Sequence, residues 1–278
     1  MTEFQTDTPA FHFRAGTRPL LISMPHVGTH VPPALAARLT DEGRRVPDTD
    51  WHLERLYDFA DELGASVLVA THSRYVIDLN RPPDGASLYP GQNVTGLCPV
   101  DLFDDQPLYR DPNDLPTEAE IAARLEAIWR PYHAQLTNEL ARLKAQHGVA
   151  ALWDAHSIRS VVPRFFEGRL ADLNLGTADD ASCDAGLAAR LLAIGQQAPG
   201  YTAVLNGRFK GGHITRFYGQ PAQGIHAIQL EMTQSCYMQE AWPFDYLPQT
   251  AAGVQPTVQR MLQEVLAFVE AEGKARGA

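Results

Sequence analysis

The sequence predicts an α/β fold in which helices cover both faces of a central sheet. Short apolar runs, typical of buried strands, alternate along the chain with amphipathic segments of helical spacing. The 278 residues contain no internal repeat and no shift in composition that would divide them. We therefore expect a flexible polar tail over residues 1–10 and one folded domain over residues 11–278.

Six segments are predicted to be strands. The first, residues 19–25, is an apolar run bounded by prolines, and the last, residues 225–232, alternates in the β manner. A tight break at His72 and Ser73 separates the second strand from the third. The four strands between the first and the last cover residues 65–71, 74–79, 149–155 and 201–205.

Four segments are predicted to be helices, and one long stretch is predicted to be a loop. Residues 50–63 place apolar side chains on one face, and residues 117–146 do so behind a capping box, with a kink expected at Pro131. Residues 82–116 hold seven prolines and three glycines and show little periodicity. Long loops in compact domains are commonly functional, and this one is a candidate lid. The remaining helices cover residues 184–197 and 255–272.

Composition and charge exclude several classes of protein. With 23 basic and 33 acidic residues the net charge is −10, which disfavours nucleic acids and anionic membranes as partners. Three widely spaced cysteines, Cys98, Cys183 and Cys236, suggest neither a disulfide framework nor a thiolate zinc site. The chain begins without a signal peptide and has no apolar run long enough to span a bilayer, so we expect a cytoplasmic protein.

Polar side chains stand at the ends of four predicted strands. His26 follows the first strand, Asn80 and Arg81 follow the third, His156 follows the fourth, and Glu231 lies near the end of the last. In open α/β sheets, ligands bind at the carboxyl ends of the strands. If these strands are parallel, the five side chains lie along one edge of the sheet.

Two imidazoles and a carboxylate with one open position are the usual ligands of a catalytic zinc ion. His26 and His156 are the candidate imidazoles, with His30 as a rival. The carboxylate is Asp50, at the start of the first helix, or Glu54, one turn later. Each of these residues also has a purely structural interpretation, such as a helix cap for Asp50.

Glu231 interrupts a strand whose neighbouring residues, Leu230 and Met232, are expected to face the opposite side of the sheet. A carboxylate on a buried strand must be paired, bind a metal or have a raised pKa. Glu231 is therefore a candidate general base, or else one partner of a structural salt bridge.

Residues 206–219 form the basic region of this acidic chain. They contain three cations, a histidine and four glycines, but no P-loop motif. Glycines allow a close approach of the backbone to a ligand, so the segment is a candidate anion-binding loop. Arg81 is a further candidate, because a guanidinium can bind a carboxylate through two parallel hydrogen bonds. Motifs of serine hydrolases, Rossmann enzymes and common zincins are absent.

The sequence resembles the N-formylglutamate amidohydrolase family from about residue 11 to residue 270. The most specific part of the resemblance is the run Ser-Arg-Tyr-Val-Ile-Asp-Leu-Asn-Arg at residues 73–81. The other segments that carry it are residues 23–29, 48–51, 154–157 and 230–232 and the glycine-rich loop around His213 and Arg216.

The resemblance implies a three-layer sandwich with a central mixed sheet, similar to zinc-dependent exopeptidases. It implies a metal-dependent hydrolase that cleaves the formamide C–N bond of N-formyl-L-glutamate to formate and L-glutamate, the last step of a histidine-degradation route. By position in the family motifs, it implies one divalent ion, expected to be zinc, on His26, Asp50 and His156, with Glu231 as the catalytic carboxylate and Asn80, Arg81, His213 and Arg216 as substrate contacts.

The expected substrate is a small dicarboxylate, and a cation for each carboxylate is at hand in Arg81 together with Arg216 or Lys210. A zinc amidase for another N-acyl amino acid or a peptidoglycan-type amide is the alternative enzyme. A soluble dicarboxylate-binding protein is the non-enzymatic alternative. We expect a monomer or a small homo-oligomer.

Overall fold

A seven-stranded mixed sheet forms the centre of the protein. The computed structural model describes residues 6–86 and 94–277. Within them the strand order is β1-β3-β2-β4-β7-β5-β6, in which β2, β3, β4 and β7 are mutually parallel and the other three run in the opposite direction. The strands are β1 (Phe11–Arg14), β2 (Leu20–Met24), β3 (Ser66–Ala70), β4 (Ala150–Ile158), β5 (Leu173–Gly176), β6 (Ala203–Leu205) and β7 (Ile225–Thr233).

Helices cover both faces of this sheet. The seven α-helices of the described residues are α1 (Pro33–Ala36), α2 (Leu53–Leu56), α3 (Glu118–Arg124), α4 (Arg130–His147), α5 (Ala185–Gln196), α6 (His213–Tyr218) and α7 (Pro248–Gly277). A single π-helical turn, Leu125–Trp129, joins α3 to α4 just before Pro131, which accommodates a proline without ending the helix.

The central strands are buried on both faces, and their residues alternate between two apolar cores. In β4, Ala151 and Trp153 pack into the core formed with α5 and α7, whereas Ala150 and Leu152 pack into the core formed with α4. Every residue of β4 is buried. Helices on both faces of the parallel strands explain why these strands are continuous apolar runs.

The predicted fold class is confirmed, together with five of the six predicted strands. The long helix after the capping box and the two later helices are confirmed as well. The last of them begins at Pro248, seven residues before the predicted start at residue 255. Gly148 ends α4 with a φ of 76°, a conformation that glycine adopts without steric cost.

The predicted strand over residues 74–79 is wrong, since this segment forms turns. Side chains bond to the backbone here in place of a neighbouring strand. Ser73 Oγ accepts from the N–H of Tyr75, and Asp78 Oδ1 accepts from the N–H of Asn80. Short polar side chains compete with strand pairing in this way, and the apolar residues of the segment are buried without joining the sheet.

Two strands were missed by the sequence prediction, and one predicted helix is shorter than expected. β1 and β5 are only four residues long, so the alternation in each is too short to distinguish a strand from a loop. The helix predicted over residues 50–63 is reduced to α2 and a short 3₁₀ turn, Asp58–Ala60. The break begins at His52, whose φ of 63° is left-handed.

The predicted N-terminal tail and the predicted long loop are only partly described by the structure. Residues 1–5 of the tail and residues 87–93 of the long loop lie outside the described residues. Thr6, in the described part of the tail, contacts the imidazoles of His30 and His72 through its hydroxyl group. None of the helices in the described parts of the chain has the length and apolar character needed to cross a membrane.

Replacing Leu152 with alanine is expected to lower the free energy of unfolding by about 2–5 kcal/mol, because the side chain is fully buried and a cavity remains. Chemical denaturation monitored by circular dichroism measures this change. The control is Val161→Ala, at a side chain that is 52% exposed, with an expected change within about 0.5 kcal/mol. Equal effects of the two changes would contradict the two-core arrangement.

Candidate metal centre and substrate cleft

Two histidines reach the same edge of the sheet from neighbouring strands. His26 lies two residues after the end of β2, and His156 lies near the carboxyl end of β4. Because β2 and β4 are parallel neighbours, both imidazoles lie at one edge, and their ring centroids are 4.8 Å apart. The sequence prediction that these residues meet in space is therefore confirmed.

Asp50 completes a buried group of three possible metal ligands. Its backbone N–H donates to the carbonyl of His26, which fixes the turn before α2. Asp50 Oδ2 lies 3.1 Å from His156 Nδ1 and 3.8 Å from His26 Nδ1. One candidate ligand atom from each residue lies within 4.8 Å of the others. Two imidazole nitrogens and one carboxylate oxygen fit a divalent metal such as zinc and leave a coordination position open.

The two alternatives that the sequence left open lie elsewhere. Glu54 is exposed and lines a separate surface depression with His12 and Arg14. His30 pairs with His72, their ring centroids 4.9 Å apart. Asp50 is therefore the carboxylate that the structure brings to the two histidines.

Each candidate ligand imidazole is held by a second carboxylate. His26 Nε2 lies 2.7 Å from Asp78 Oδ1, and His156 Nε2 lies 3.0 Å from Asp154 Oδ2. With Nε2 held from outside, both rings present Nδ1 to the centre of the group. Metal-binding histidines commonly have such a carboxylate partner, which orients the ring and raises its basicity.

The pKa values of the two rings shift in opposite directions, although nearby carboxylates raise both. Burial and the nearby Arg74 lower the pKa of His26, although Asp78 and Asp50 oppose them. Burial also disfavours the charged form of His156, but Asp154 and Asp50 outweigh it and raise its pKa well above the ordinary value. A metal ion binds only the deprotonated nitrogen, so its binding to His156 would release a proton.

Glu231 stands beside His156 on the adjacent strand. The two residues are register partners in the parallel pair β4–β7, and Leu230 and Met232 pack into the opposite core, as the alternation predicted. Burial raises the pKa of Glu231 to about 8, with Asp50 adding to the effect and His156 opposing it. A buried carboxylate with a raised pKa next to a candidate metal centre is suited to proton transfer.

Gln229 orients Glu231 from two residues away on the same face of β7. Gln229 Oε1 accepts from the N–H of Gly212 at 2.7 Å, so its amide group points toward Glu231 Oε2, 3.2 Å away. A Cβ at residue 212 would lie 2.4 Å from the side-chain nitrogen of Asn80, so a larger residue there would displace the amide that contacts His156. Sequence analysis did not identify Gln229. Its position two residues before Glu231 on an alternating strand was the available signal.

A cleft opens at this edge of the sheet, with about 600 Å³ of space that includes its opening to solvent. His26, His156 and Glu231 lie at its base, and three guanidinium groups and several aromatic rings form its walls. The guanidinium groups belong to Arg74, Arg81 and Arg208, and the apolar walls include Phe103, Ile158, Phe165 and Phe209.

Arg74 is a cleft residue that sequence analysis did not single out. It is 7% exposed, and its Nη2 donates to Asp78 Oδ2 at 2.7 Å. Its Cζ lies 4.7 Å from the ring centroid of Phe103, and its positive charge lowers the pKa of both His26 and Glu231. The signal was present in the sequence, since Arg74 and Asp78 are four residues apart in the motif at residues 73–81.

Asn80 and Arg81 both line the cleft, and the side chain of each is held by hydrogen bonds to different partners. Asn80 Nδ2 lies 2.9 Å from His156 Nε2, and its Oδ1 accepts from the N–H of Ile214. Arg81 donates to the backbone carbonyl and the hydroxyl group of Thr95 and lies 4.0 Å from Asp78. Burial alone would raise the pKa of Asp78, but His26, Arg81 and Arg74 hold it well below its ordinary value.

His213 and Arg216 do not line the cleft. His213 is buried among aromatic rings, with its ring centroid 5.8 Å from that of Trp129, and its Nε2 has no hydrogen-bond partner among the described residues. Arg216 Nε donates to the carbonyl of Gly211. These two residues shape the glycine-rich segment behind the cleft wall.

Known proteins resemble this chain over nearly its whole length. The sequence profile of the N-formylglutamate amidohydrolase family matches residues 18–238. The N-formylglutamate deformylase of Pseudomonas aeruginosa is 56% identical over 256 residues, which cover 92% of this chain and 96% of that protein. The enzyme of the same name from Pseudomonas putida is 54% identical over 256 residues, with 92% and 95% covered.

Solved structures share the arrangement of the sheet and helices. An N-formylglutamate amidohydrolase from Ralstonia eutropha superposes with a TM-score of 0.81 at 25% identity and covers 95% of this chain and 100% of its own. A gene product of Agrobacterium tumefaciens superposes with a TM-score of 0.71 at 18% identity, covering 95% and 97%. The second likeness concerns the fold alone.

Replacing Asp50 with alanine is expected to weaken metal binding by more than about 100-fold. Loss of a residue that only hydrogen-bonds to a metal ligand typically weakens metal binding by about 10–100-fold. The expected effect is larger here because one of three ligand atoms is removed. Metal content of the purified protein and competition with a chelator measure the effect. The control is Glu54→Gln, which neutralises the exposed carboxylate that was the rival candidate in the sequence. A larger loss in the control would reverse the choice of ligand.

Replacing Asp78 with asparagine is expected to weaken metal binding by about 10–100-fold, because His26 loses the carboxylate that orients its ring. The affinity is measured by chelator competition at fixed pH. An affinity unchanged from wild type would show that Asp78 does not support His26 as a ligand.

Proposed function

Since the chain belongs to the N-formylglutamate amidohydrolase family, we propose that it hydrolyses the formamide C–N bond of N-formyl-L-glutamate, giving formate and L-glutamate. The observation that carries the proposal is the buried group of His26, Asp50 and His156 beside Glu231, at the base of a cleft with arginine in its walls. This arrangement combines a candidate metal centre, a proton acceptor and cations for an acidic substrate.

The proposed cofactor is one divalent metal ion, with zinc as the preferred candidate. His26 and His156 would hold it through Nδ1 and Asp50 through a carboxylate oxygen. An ion in such a site supplies a Lewis acid and lowers the pKa of water. Asp78 and Asp154 keep the two rings oriented and provide negative charge outside the ligand group.

Glu231 is proposed as the general acid and base. It accepts a proton from the attacking water and returns it to the departing nitrogen of glutamate. The low dielectric that raises its pKa to about 8 suits the second role, in which it must hold a proton. Added positive charge beside Glu231 lowers its pKa and suits the first role.

Arg74 is proposed to stabilise negative charge that develops on the formyl oxygen. Its guanidinium lies at the cleft, close enough to the base to affect the pKa of Glu231. Its hydrogen bond to Asp78 fixes it before the reaction begins. A fixed donor in a site with little water stabilises a developing charge more strongly than a mobile one.

The substrate contacts are proposed to divide into direct and indirect ones. Arg81 is the direct contact for the α-carboxylate, because it lines the cleft next to Asp78. Asn80 acts mainly by orienting His156, with which its amide is in contact. His213 and Arg216 are proposed to act through the glycine-rich segment that they support.

The proposal extends to the setting in which the reaction takes place. Hydrolysis of N-formylglutamate to glutamate is proposed as the last step of a histidine-degradation route in the cytoplasm. The proposed assembly is a monomer or a small homo-oligomer. The net charge of −10 repels a dianionic substrate. The three arginines that line the cleft are proposed to attract it locally.

The proposed function is tested by the formate that the purified protein releases from N-formylglutamate. Wild type is expected to release formate, to lose this activity with a chelator and to regain it with zinc. Glu231→Gln is expected to lower kcat by about 10²–10⁴-fold without losing metal, because the variant cannot accept a proton.

The control for Glu231→Gln is Glu54→Gln, which removes a carboxylate far from the cleft and should keep wild-type activity. A Glu231→Gln enzyme as active as the control would remove Glu231 from the proton-transfer role. Faster release from other N-acyl amino acids than from N-formylglutamate would instead indicate an amidase of different specificity.

A further inference from the structure

One cation of the glycine-rich segment faces the cleft. Arg208 lines it, whereas Lys210 forms an ion pair with Asp179 at 3.0 Å and Arg216 donates to the backbone of the segment. The sequence offered Arg216 or Lys210 as the second carboxylate partner. The structure brings Arg208 to the cleft in their place.

Arg208 is held at an apolar part of the cleft wall. Its Nε donates to the carbonyl of Phe165 at 2.5 Å, and its Cζ lies 5.3 Å from the ring centroid of Phe209. Phe103 and Phe165 meet edge to face beside it, with ring centroids 4.9 Å apart. These rings belong to a third apolar cluster, separate from the two cores that flank the sheet.

The other two arginines of the cleft are tied to the metal centre. Arg74 bonds to Asp78, and Arg81 lies 4.0 Å from the same carboxylate, which in turn holds His26. A group bound by them therefore lies close to the reacting amide. In an N-acyl amino acid, the carboxylate nearest to the amide is the one on the α-carbon.

The cleft wall around Arg208 is chemically complementary to a glutamate side chain. Two methylene groups followed by a carboxylate require an apolar surface that ends at a cation. Aromatic rings supply the surface, and a guanidinium anchored through Nε keeps its terminal N–H groups in a fixed plane. Charge-assisted hydrogen bonds from a guanidinium to a carboxylate are among the strongest in proteins.

We propose that Arg208 binds the side-chain carboxylate of the substrate and sets the preference of the enzyme for an acidic side chain. The inference rests on the proposed function and adds a residue that determines specificity. Arg81 then binds the α-carboxylate, Arg208 binds the γ-carboxylate, and Phe165 and Phe209 flank the methylene groups between them.

The test compares N-formylglutamate with N-formylglutamine, a neutral substrate of nearly the same shape. In Arg208→Gln, kcat/KM for N-formylglutamate is expected to fall on the order of 10²-fold, while kcat/KM for N-formylglutamine changes by less than about threefold. Most of the loss should appear in KM, since the contact is remote from the reacting bond. Arg208→Lys is expected to recover part of the preference, because it restores the charge without the fork geometry.

Lys210→Gln is the matched control, since it removes a cation from the same segment outside the cleft, and both substrates should retain wild-type kcat/KM. Thermal unfolding and metal content of each variant show whether the fold and the metal centre are intact. An equal fall for both substrates in a folded Arg208→Gln enzyme would overturn the assignment. Wild type that releases no formate from N-formylglutamate would instead refute the proposed function.

A second substrate separates the two carboxylate sites. N-formyl-4-aminobutyrate keeps the terminal carboxylate but lacks the one on the α-carbon. Arg208→Gln should lower its kcat/KM about as strongly as that of N-formylglutamate, and Arg81→Gln should affect it little. The reverse pattern would show that the roles of Arg208 and Arg81 are exchanged and would overturn the proposal.

Discussion

The site depends on a buried concentration of negative charge around two imidazoles. Asp50 lies between the rings, Asp78 and Asp154 hold them from outside, and Glu231 stands beside one of them. Carboxylates removed from water are costly unless positive charge or hydrogen bonds compensate them. Arg74 supplies part of the compensation, and a divalent cation held by the proposed ligands would supply more. The same carboxylates orient the rings, and Asp50 and Asp154 add to the burial that raises the pKa of Glu231.

The sheet makes this cluster possible because its strands are rigid and in register. On one face of β4 and β7, apolar residues near the amino ends give way to polar residues near the carboxyl ends, while the opposite face is mostly apolar, with Ser157 and His226 as its polar residues. The polar set therefore rests on a packed core and needs no separate scaffold. The residues that close the cleft, by contrast, come from irregular segments whose side chains bond to the backbone. The residues proposed to set specificity thus lie on loops, and the proposed proton-transfer group lies on a strand.

The sequence by itself determined the fold class and identified His26, His156 and Glu231 as candidates for the site. Alternation of apolar and polar residues placed Glu231 on one face of its strand and its neighbours on the other, and this depends only on the two-residue period of a strand. His26 and His156 were identified because each stands at the end of a long apolar run. Such local patterns survive folding, since burial of the central strands on both faces requires them.

Tertiary structure decided which of the local candidates act together. Asp50 and Glu54 were equivalent in sequence, but the left-handed turn at His52 leaves one beside the histidines and the other exposed to solvent. Arg208, Lys210 and Arg216 were equally basic, yet one of them faces the cleft. A strand predicted over residues 74–79 became a set of turns, because hydrogen bonds from its own side chains replaced a neighbouring strand. Hydrophobic periodicity and composition report only on a residue and its near neighbours in sequence. The direction in which a loop side chain points is set by partners that are distant in sequence.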